Sequence, residues 1–222
     1  MSGSSAPALI LLAAGAARRF GSPKALARHA AWQGQSMIGA RLAQLLPLLQ
    51  AGEFSRLCVV LGAHAEPIGA HIAPLLAPYA PKAFAHICPH WADGQSASLG
   101  SGIRALQAND EQRATPAAMV ALLDQVLLQA SDYLALCAHW RHAPHAVCAS
   151  RYPDGALGAP AIWPRHLWPQ LLNLQHDQGA RAYLQHARAL DLPRAALDID
   201  QRADLLQLEP SPRGESDADL AY

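Results

Sequence analysis

Residues Pro7 to Lys24 read PALILLAAGAARRFGSPK, and this stretch decides the fold. An unbroken apolar run ends in Ala13, Ala14 and Gly15, after which Arg18, Arg19 and Lys24 follow with no acid among them. Apolar residues without polar alternation mark a strand covered on both faces, as in a parallel sheet. The three small residues let a ligand lie against the backbone, and Gly15 and Gly21 admit conformations that a β-carbon opposes. Main-chain N–H groups and cations converging beyond a strand's carboxyl end form a phosphate cradle. The segment is neither GxxxxGK[ST] nor GxGxxG. On local physics alone, a surface loop with solvated arginines is an equal alternative.

Further apolar runs follow at Arg56–Leu61, Ala83–Cys88, Ala117–Leu123 and His145–Ser150. Helical stretches separate them at Gln35–Gln50, Glu66–Leu76, Ser96–Asn109 and Leu127–His142. Strand and helix alternating at this rhythm predict an α/β fold with a mostly parallel sheet and right-handed crossovers. After Ser150 the rhythm breaks. RYPDGALGAP reads as turns, Leu167–Leu174 and Ala180–Ala189 as helices, Arg194–Asp200 as a short strand, and Ala203–Leu208 as a closing helical turn. The polar segment 209–222 reads as a tail, leaving 1–208 as one domain.

At 222 residues with 51% hydrophobic and 15% charged, the chain has material for one large core. Seventeen basic residues balance seventeen acidic ones, so no global field attracts nucleic acid or anionic lipid. The four cysteines include no CxxC; three of them, Cys58, Cys137 and Cys148, lie in apolar runs and read as small buried hydrophobes, and a reducing compartment fits. The opening run lacks the basic n-region of a signal peptide, and no run reaches the roughly 20 apolar residues that span a bilayer. A cytoplasmic location is expected. The spacing of His139, His142 and His145 does not present three metal ligands tightly from one helix.

LAAGAARRFGSPK resembles the LAAGxSxRxGxxK opening of the MobA-like nucleotidyltransferases, in particular the molybdenum cofactor cytidylyltransferase branch. Ala14 stands where the guanylyltransferase branch has glycine, and Ala17 replaces the usual serine. VVLGAHAEPI (59–68), PHWADGQSASLGSGI (89–103), ALLDQ (121–125), GAPAIWPRHLWPQLLNLQHDQGAR (158–181) and LDIDQRADLLQL (197–208) resemble further family segments in order. Cys88 near the place of an asparagine, Val126 for proline and Ala159 for histidine depart from the pattern.

The resemblance implies a single Rossmann-like three-layer domain that moves a nucleoside monophosphate, CMP from CTP by preference, onto a phosphorylated pterin with Mg²⁺. Leu12, Ala13, Ala14, Gly15, Gly62, Gly94 and Ser98, with Gln95, would face the nucleotide. Lys24 and Arg19 would neutralise phosphate charge, with Arg18 the less favoured neighbour. Asp124 would hold the metal, joined by Asp200 or, second, Asp198. Gly158, Asp177 and Arg181 would border the acceptor. A molybdoenzyme is a conceivable recipient, and neither nucleic acid nor membrane is an expected partner. A non-catalytic cofactor chaperone and a transferase acting on a sugar or polyol phosphate stay open. So do capping roles for Asp124, Ser98 and Asp200, and an Arg181–Asp177 ion pair.

Overall fold

A computed structural model of the chain describes residues 6–110, 114–174 and 180–208. Strands β1 (Ala8–Ala13), β2 (Leu57–Leu61), β3 (Ala83–Ile87), β4 (Ala117–Leu122), β5 (Cys148–Arg151), β6 (Leu157–Pro164) and β7 (Arg188–Asp191) form one sheet. Its order is β3-β2-β1-β4-β6-β5-β7. β1 pairs in parallel with both β2 and β4, and β2 with β3. β6 runs antiparallel to β4 and β5, and β5 pairs in parallel with β7.

Both faces of the sheet are covered, which is why its central strands carry no polar alternation. Leu9 and Leu11 of β1 join one hydrophobic cluster, while Ala8, Ile10 and Leu12 join the other. The first cluster contains residues of helices α1 (Met37–Gln50), α2 (Ala65–Leu76) and α4 (Ala130–Arg141). The second contains residues of α3 (Gln95–Ala108), α5 (Trp168–Leu172) and α6 (Arg181–Leu184). Helix, sheet and helix make three layers. The chain leaves β1 toward β2 on one side and meets β4 on the other. The carboxyl ends of β1 and β4 therefore flank the switch point where ligands of such sheets bind.

The carboxyl-terminal third corrects three expectations. The segment expected to be turns contains a turn and then the start of β6. The helix expected over Ala180–Ala189 is the four-residue α6, followed by β7. Arg194–Asp200 forms no strand: Pro193–Ala196 is a 3₁₀ turn, and Leu197–Asp200 runs as an irregular segment against the end of β4. The main-chain N–H of Ile199 donates to the Asp124 carbonyl at 3.1 Å, and the Ile199 side chain is fully buried. The last helical turn is 3₁₀, over Arg202–Gln207. The proposed tail, 209–222, lies outside the described residues.

Behind the sheet, Asp110 is a buried carboxylate that accepts hydrogen bonds from the N–H groups of Ala114 and Thr115 and pairs with Arg165. The Arg165 guanidinium lies 4.8 Å from the centre of the Trp168 ring. Burial alone would raise the Asp110 carboxyl, but Arg165 and the two N–H groups outweigh it and hold it below its usual range. A carboxyl lowered in the folded state stabilises above its unfolded pKa, and the gain is lost as pH falls through the folded value. Asp110→Ala is therefore expected to cost about 3 kcal/mol at neutral pH, the scale of breaking a buried pair. Urea melts should show that deficit shrinking below about pH 4. A deficit independent of pH would mean that the carboxylate charge contributes nothing.

Candidate functional site

The segment from Ala13 to Lys24 leaves β1 and folds back on itself. Ala17 takes a left-handed conformation (φ 51°), and its carbonyl accepts from the N–H groups of Phe20 and Gly21. Phe20 is buried and pins the turn to the core, and the Arg202 guanidinium lies 5.3 Å from the centre of its ring. Lys24 then opens a short 3₁₀ turn, Lys24–Leu26.

This geometry turns the lysine inward. Its Nζ donates to Asp124 Oδ2 at 2.8 Å and to the Ile199 carbonyl at 2.6 Å, and lies 3.9 Å from Asp200 Oδ1. Arg19 reaches the other oxygen of Asp200, Oδ2, at 2.9 Å. Four residues singled out in sequence, Arg19, Lys24, Asp124 and Asp200, thus meet in one ion-pair network. Asp124 Oδ1 is buried without a hydrogen-bond partner. Asp198 stands close by, part of its surface open to solvent. Desolvation, then the charges of Asp124 and Asp200, push its carboxyl up to about 6 against the pull of Lys24.

Three adjoining cavities open here, and Leu12 lines all of them. The smallest, about 280 Å³, is bordered by Ala13, Gly15, Arg18, Arg19, Lys24, Asp124 and Asp200. The second, about 690 Å³, is bordered by Ala14, Gly15, Gly94, Gln95, Ser98 and Asp124, with the amino-terminal turn of α3 on one side. Exposed N–H groups at a helix start suit an anion. The third, about 840 Å³, includes Gly158 and Asp198 among aromatic and aliphatic side chains. A β-carbon on Gly158 would lie 2.2 Å from the Tyr152 hydroxyl oxygen, so any larger residue there would displace the Tyr152 ring.

Gly62 is the exception among the nucleotide candidates: it borders none of these cavities. It packs behind the loop, where a β-carbon would lie 2.4 Å from the Ala14 carbonyl oxygen. Its role is to let Ala14 and Trp91 approach. Arg181 opens α6, while Asp177 and Gly179 lie outside the described residues, as does the pairing of Arg181 with Asp177.

Sequence reading passed over His64, which borders the smallest cavity with its Nε2 3.2 Å from the Ala16 carbonyl. It stands two places after Gly62 in a segment already singled out. The Ile199 carbonyl was also missed, and no side-chain pattern announces a main-chain oxygen. Gln125 is fully buried; its Nε2 donates to the carbonyls of Ala159 and Ala195, tying β6 and the Pro193–Ala196 turn to the Asp124 turn. From the other side the buried Arg41 donates to the carbonyls of Gln125 and Leu128. Among the described residues, no three His, Cys, Asp or Glu side chains converge as a self-sufficient metal site. No helix among them is long and apolar enough to cross a membrane.

A doubly wound sheet with a cationic loop and carboxylates at its switch point defines a nucleotide-handling α/β protein. The chain matches the MobA-like NTP transferase domain over residues 9–192 and belongs to that family of nucleotidyltransferases. Among solved structures it is similar to Rv0371c from Mycobacterium tuberculosis H37Rv, at 21% identity over 91% of this chain and 97% of that one, with a TM-score of 0.68. That protein is also known in complex with manganese. The 4-diphosphocytidyl-2C-methyl-D-erythritol synthase from Anaerococcus prevotii is similar at 12% identity over 92% and 94% of the chains, TM-score 0.66. Molybdopterin-guanine dinucleotide biosynthesis protein A from Archaeoglobus fulgidus is similar at 14% over 90% and 96%, TM-score 0.56. No curated protein matches the chain.

Proposed function

We propose that this protein transfers CMP from CTP to the phosphate of a molybdopterin-type cofactor and releases pyrophosphate. The observation that carries the acceptor is the lining of the largest cavity. Tyr152, Trp163 and Tyr183 stand there among mostly aliphatic residues and the polar Gln95, Ser96 and Asp198, with no lysine or arginine among the described ones. A flat heteroaromatic ring can stack on such walls and place its polar edge toward the few polar side chains, whereas a polyol has no face for the aromatic rings to stack on. The cations lie next door, in the cavity holding Arg18, Arg19 and Lys24. An acceptor seated in the aromatic cavity therefore points its phosphate toward them.

The residues do the rest by position and charge. An acceptor phosphate oxygen attacks the α-phosphorus in line, and the bond to the β-phosphate oxygen breaks. The acceptor needs no base, because its phosphate is already ionised. Lys24 and Arg19 face the negative charge that accumulates on the departing pyrophosphate, and the N–H groups opening α3 face the bound nucleotide. Asp124, with Asp200 or Asp198 and the Ile199 carbonyl, is a set of hard oxygen donors suited to Mg²⁺ or Mn²⁺. The unpartnered Asp124 Oδ1 fits this reading, as does the manganese bound by the mycobacterial neighbour. Such a cation supplies charge neutralisation of the triphosphate when bound.

The base preference rests on Ala14, a residue bordering the second cavity that stands where the guanylyltransferase branch has glycine. A β-carbon there narrows the floor for a purine more than for a pyrimidine. CTP is expected to exceed GTP in kcat/KM by roughly ten- to a hundredfold, and Ala14→Gly to shrink that ratio. Pyrophosphate release with Mg²⁺, each nucleotide and the pterin acceptor measures it. Equal values or a GTP preference would remove the cytidylyl assignment and leave the family standing. Binding without any release would favour a cofactor chaperone.

A further inference from the structure

The surroundings of Lys24 are not those of a residue waiting for phosphate. Its side chain is only 16% exposed, and its ammonium lies among oxygens from three residues: Asp124 Oδ2, the Ile199 carbonyl and Asp200 Oδ1. Two carboxylates and a carbonyl are also the kind of donor set a hard divalent cation takes. The cation the fold itself supplies is an ammonium.

We infer that Lys24 is a built-in counter-cation of this oxygen set, competing with a divalent metal for Asp124 and Asp200 until a nucleotide draws it away. The inference rests on the reading that Asp124 holds a metal. Charge explains the need. One ammonium lies within 4 Å of both the Asp124 and Asp200 carboxylates, and without Lys24 the described residues leave Arg19, on Asp200, as the cation paired with them. The lysine lets the carboxylates stand together before substrate arrives. A divalent ion taking Asp124 by its unpartnered Oδ1 would lie beside the ammonium on Oδ2 and be repelled by it, and it could not use the Ile199 carbonyl or Asp200 Oδ1 while Nζ holds them. A metal arriving alone must therefore strand the ammonium. A metal arriving with a triphosphate brings anionic oxygens onto which Nζ can turn. Lys24 would then couple metal binding to nucleotide binding, and each would tighten the other by the same factor.

Mn²⁺ titrations of the full chain without nucleotide test this, with free Mn²⁺ read by electron paramagnetic resonance. Removing the competing charge should tighten Mn²⁺ binding about tenfold in Lys24→Met, within the usual range of coupling between sites. The same variant should bind CTP more weakly and lose most of the mutual enhancement between CTP and Mn²⁺. Lys24→Gln keeps a donor for the Ile199 carbonyl and should behave likewise, so it serves if Lys24→Met does not fold. Unchanged or weaker Mn²⁺ binding in the folded Lys24 variant overturns the counter-cation. Asp124→Asn separates the two ideas, since it should remove Mn²⁺ binding in either background. If it does so while the Lys24 variants show no tightening, the metal reading stands and the counter-cation fails. If Mn²⁺ binding survives Asp124→Asn, both fall.

Discussion

Asp124→Ala is expected to lower kcat/KM by about a thousandfold while the protein melts within a few degrees of the parent. The rate loss is on the scale of removing one preorganised electrostatic partner from a transition state that gathers charge. The small stability effect follows from what the side chain does in the fold. The structural bonds at this turn are main-chain ones: the Asp124 carbonyl accepts from the N–H groups of Val126 and Ile199, and truncation leaves both. The carboxylate borders two cavities, so its loss opens no sealed void. Lys24 keeps the Ile199 carbonyl and stays near Asp200. One buried acceptor without a partner, Oδ1, disappears. Pyrophosphate release and thermal melting measured on one preparation check the pair of outcomes. Near-normal release would end the assignment of Asp124 as the metal ligand, and a collapse of the melting temperature would make it a structural residue.

The first half of the sheet was legible because its physics is local. β1, β2 and β4 are packed on both faces, so their runs are apolar throughout and hard to take for anything else. β6 hid because it begins Leu-Gly-Ala-Pro, which reads as a turn, and proline argues against an interior strand. The structure resolves the conflict with an irregularity. β6 pairs with β5 as Ala149 with Ala161 and then Ser150 with Gly158, skipping Ala159 and Pro160. Its pairing with β4 stops at Ala161, so no ladder bond is asked of the proline nitrogen. β7 hid for another reason. ARALDLP at 187–193 and RAALDID at 194–200 share the run Ala-Leu-Asp, and of the two the first pairs as a strand, with β5. Pairing is a long-range choice that a single string does not record.

The site divides in the same way. Arg19, Lys24 and Asp124 stood out because charge at the end of an apolar strand is conspicuous. That Lys24 would bind Asp124, a hundred positions away, was not readable from either segment. Gly62 was ambiguous for a related reason: a glycine after a strand looks the same whether it yields space to a ligand or to the protein.

Gly62→Ala tells these two uses of space apart. A nucleotide contact at this position would predict weaker CTP binding with an unchanged melting temperature. The packing predicts that both suffer. A β-carbon would lie 2.4 Å from the Ala14 carbonyl oxygen, 2.6 Å from Trp91 Cβ and 2.8 Å from Ala14 Cβ. These are main-chain and β-carbon atoms, which cannot swing aside as the end of a long side chain can. The Ala14 carbonyl also accepts from the Ala63 N–H at 3.1 Å, so pushing it away weakens the bond that fastens the loop to the end of β2. Overfilling of this kind costs about 1–3 kcal/mol. That corresponds to a fall of roughly 5 °C in melting temperature for a chain of this size. The loop that moves carries Arg19 and Lys24 with it, and a displacement near 1 Å at reacting groups can cost about a hundredfold in rate. Differential scanning calorimetry with steady-state kinetics on Gly62→Ala should show both losses together. Full stability with reduced CTP affinity would return Gly62 to the nucleotide, while full stability with full activity would mean that the end of β2 has slack the packing does not suggest.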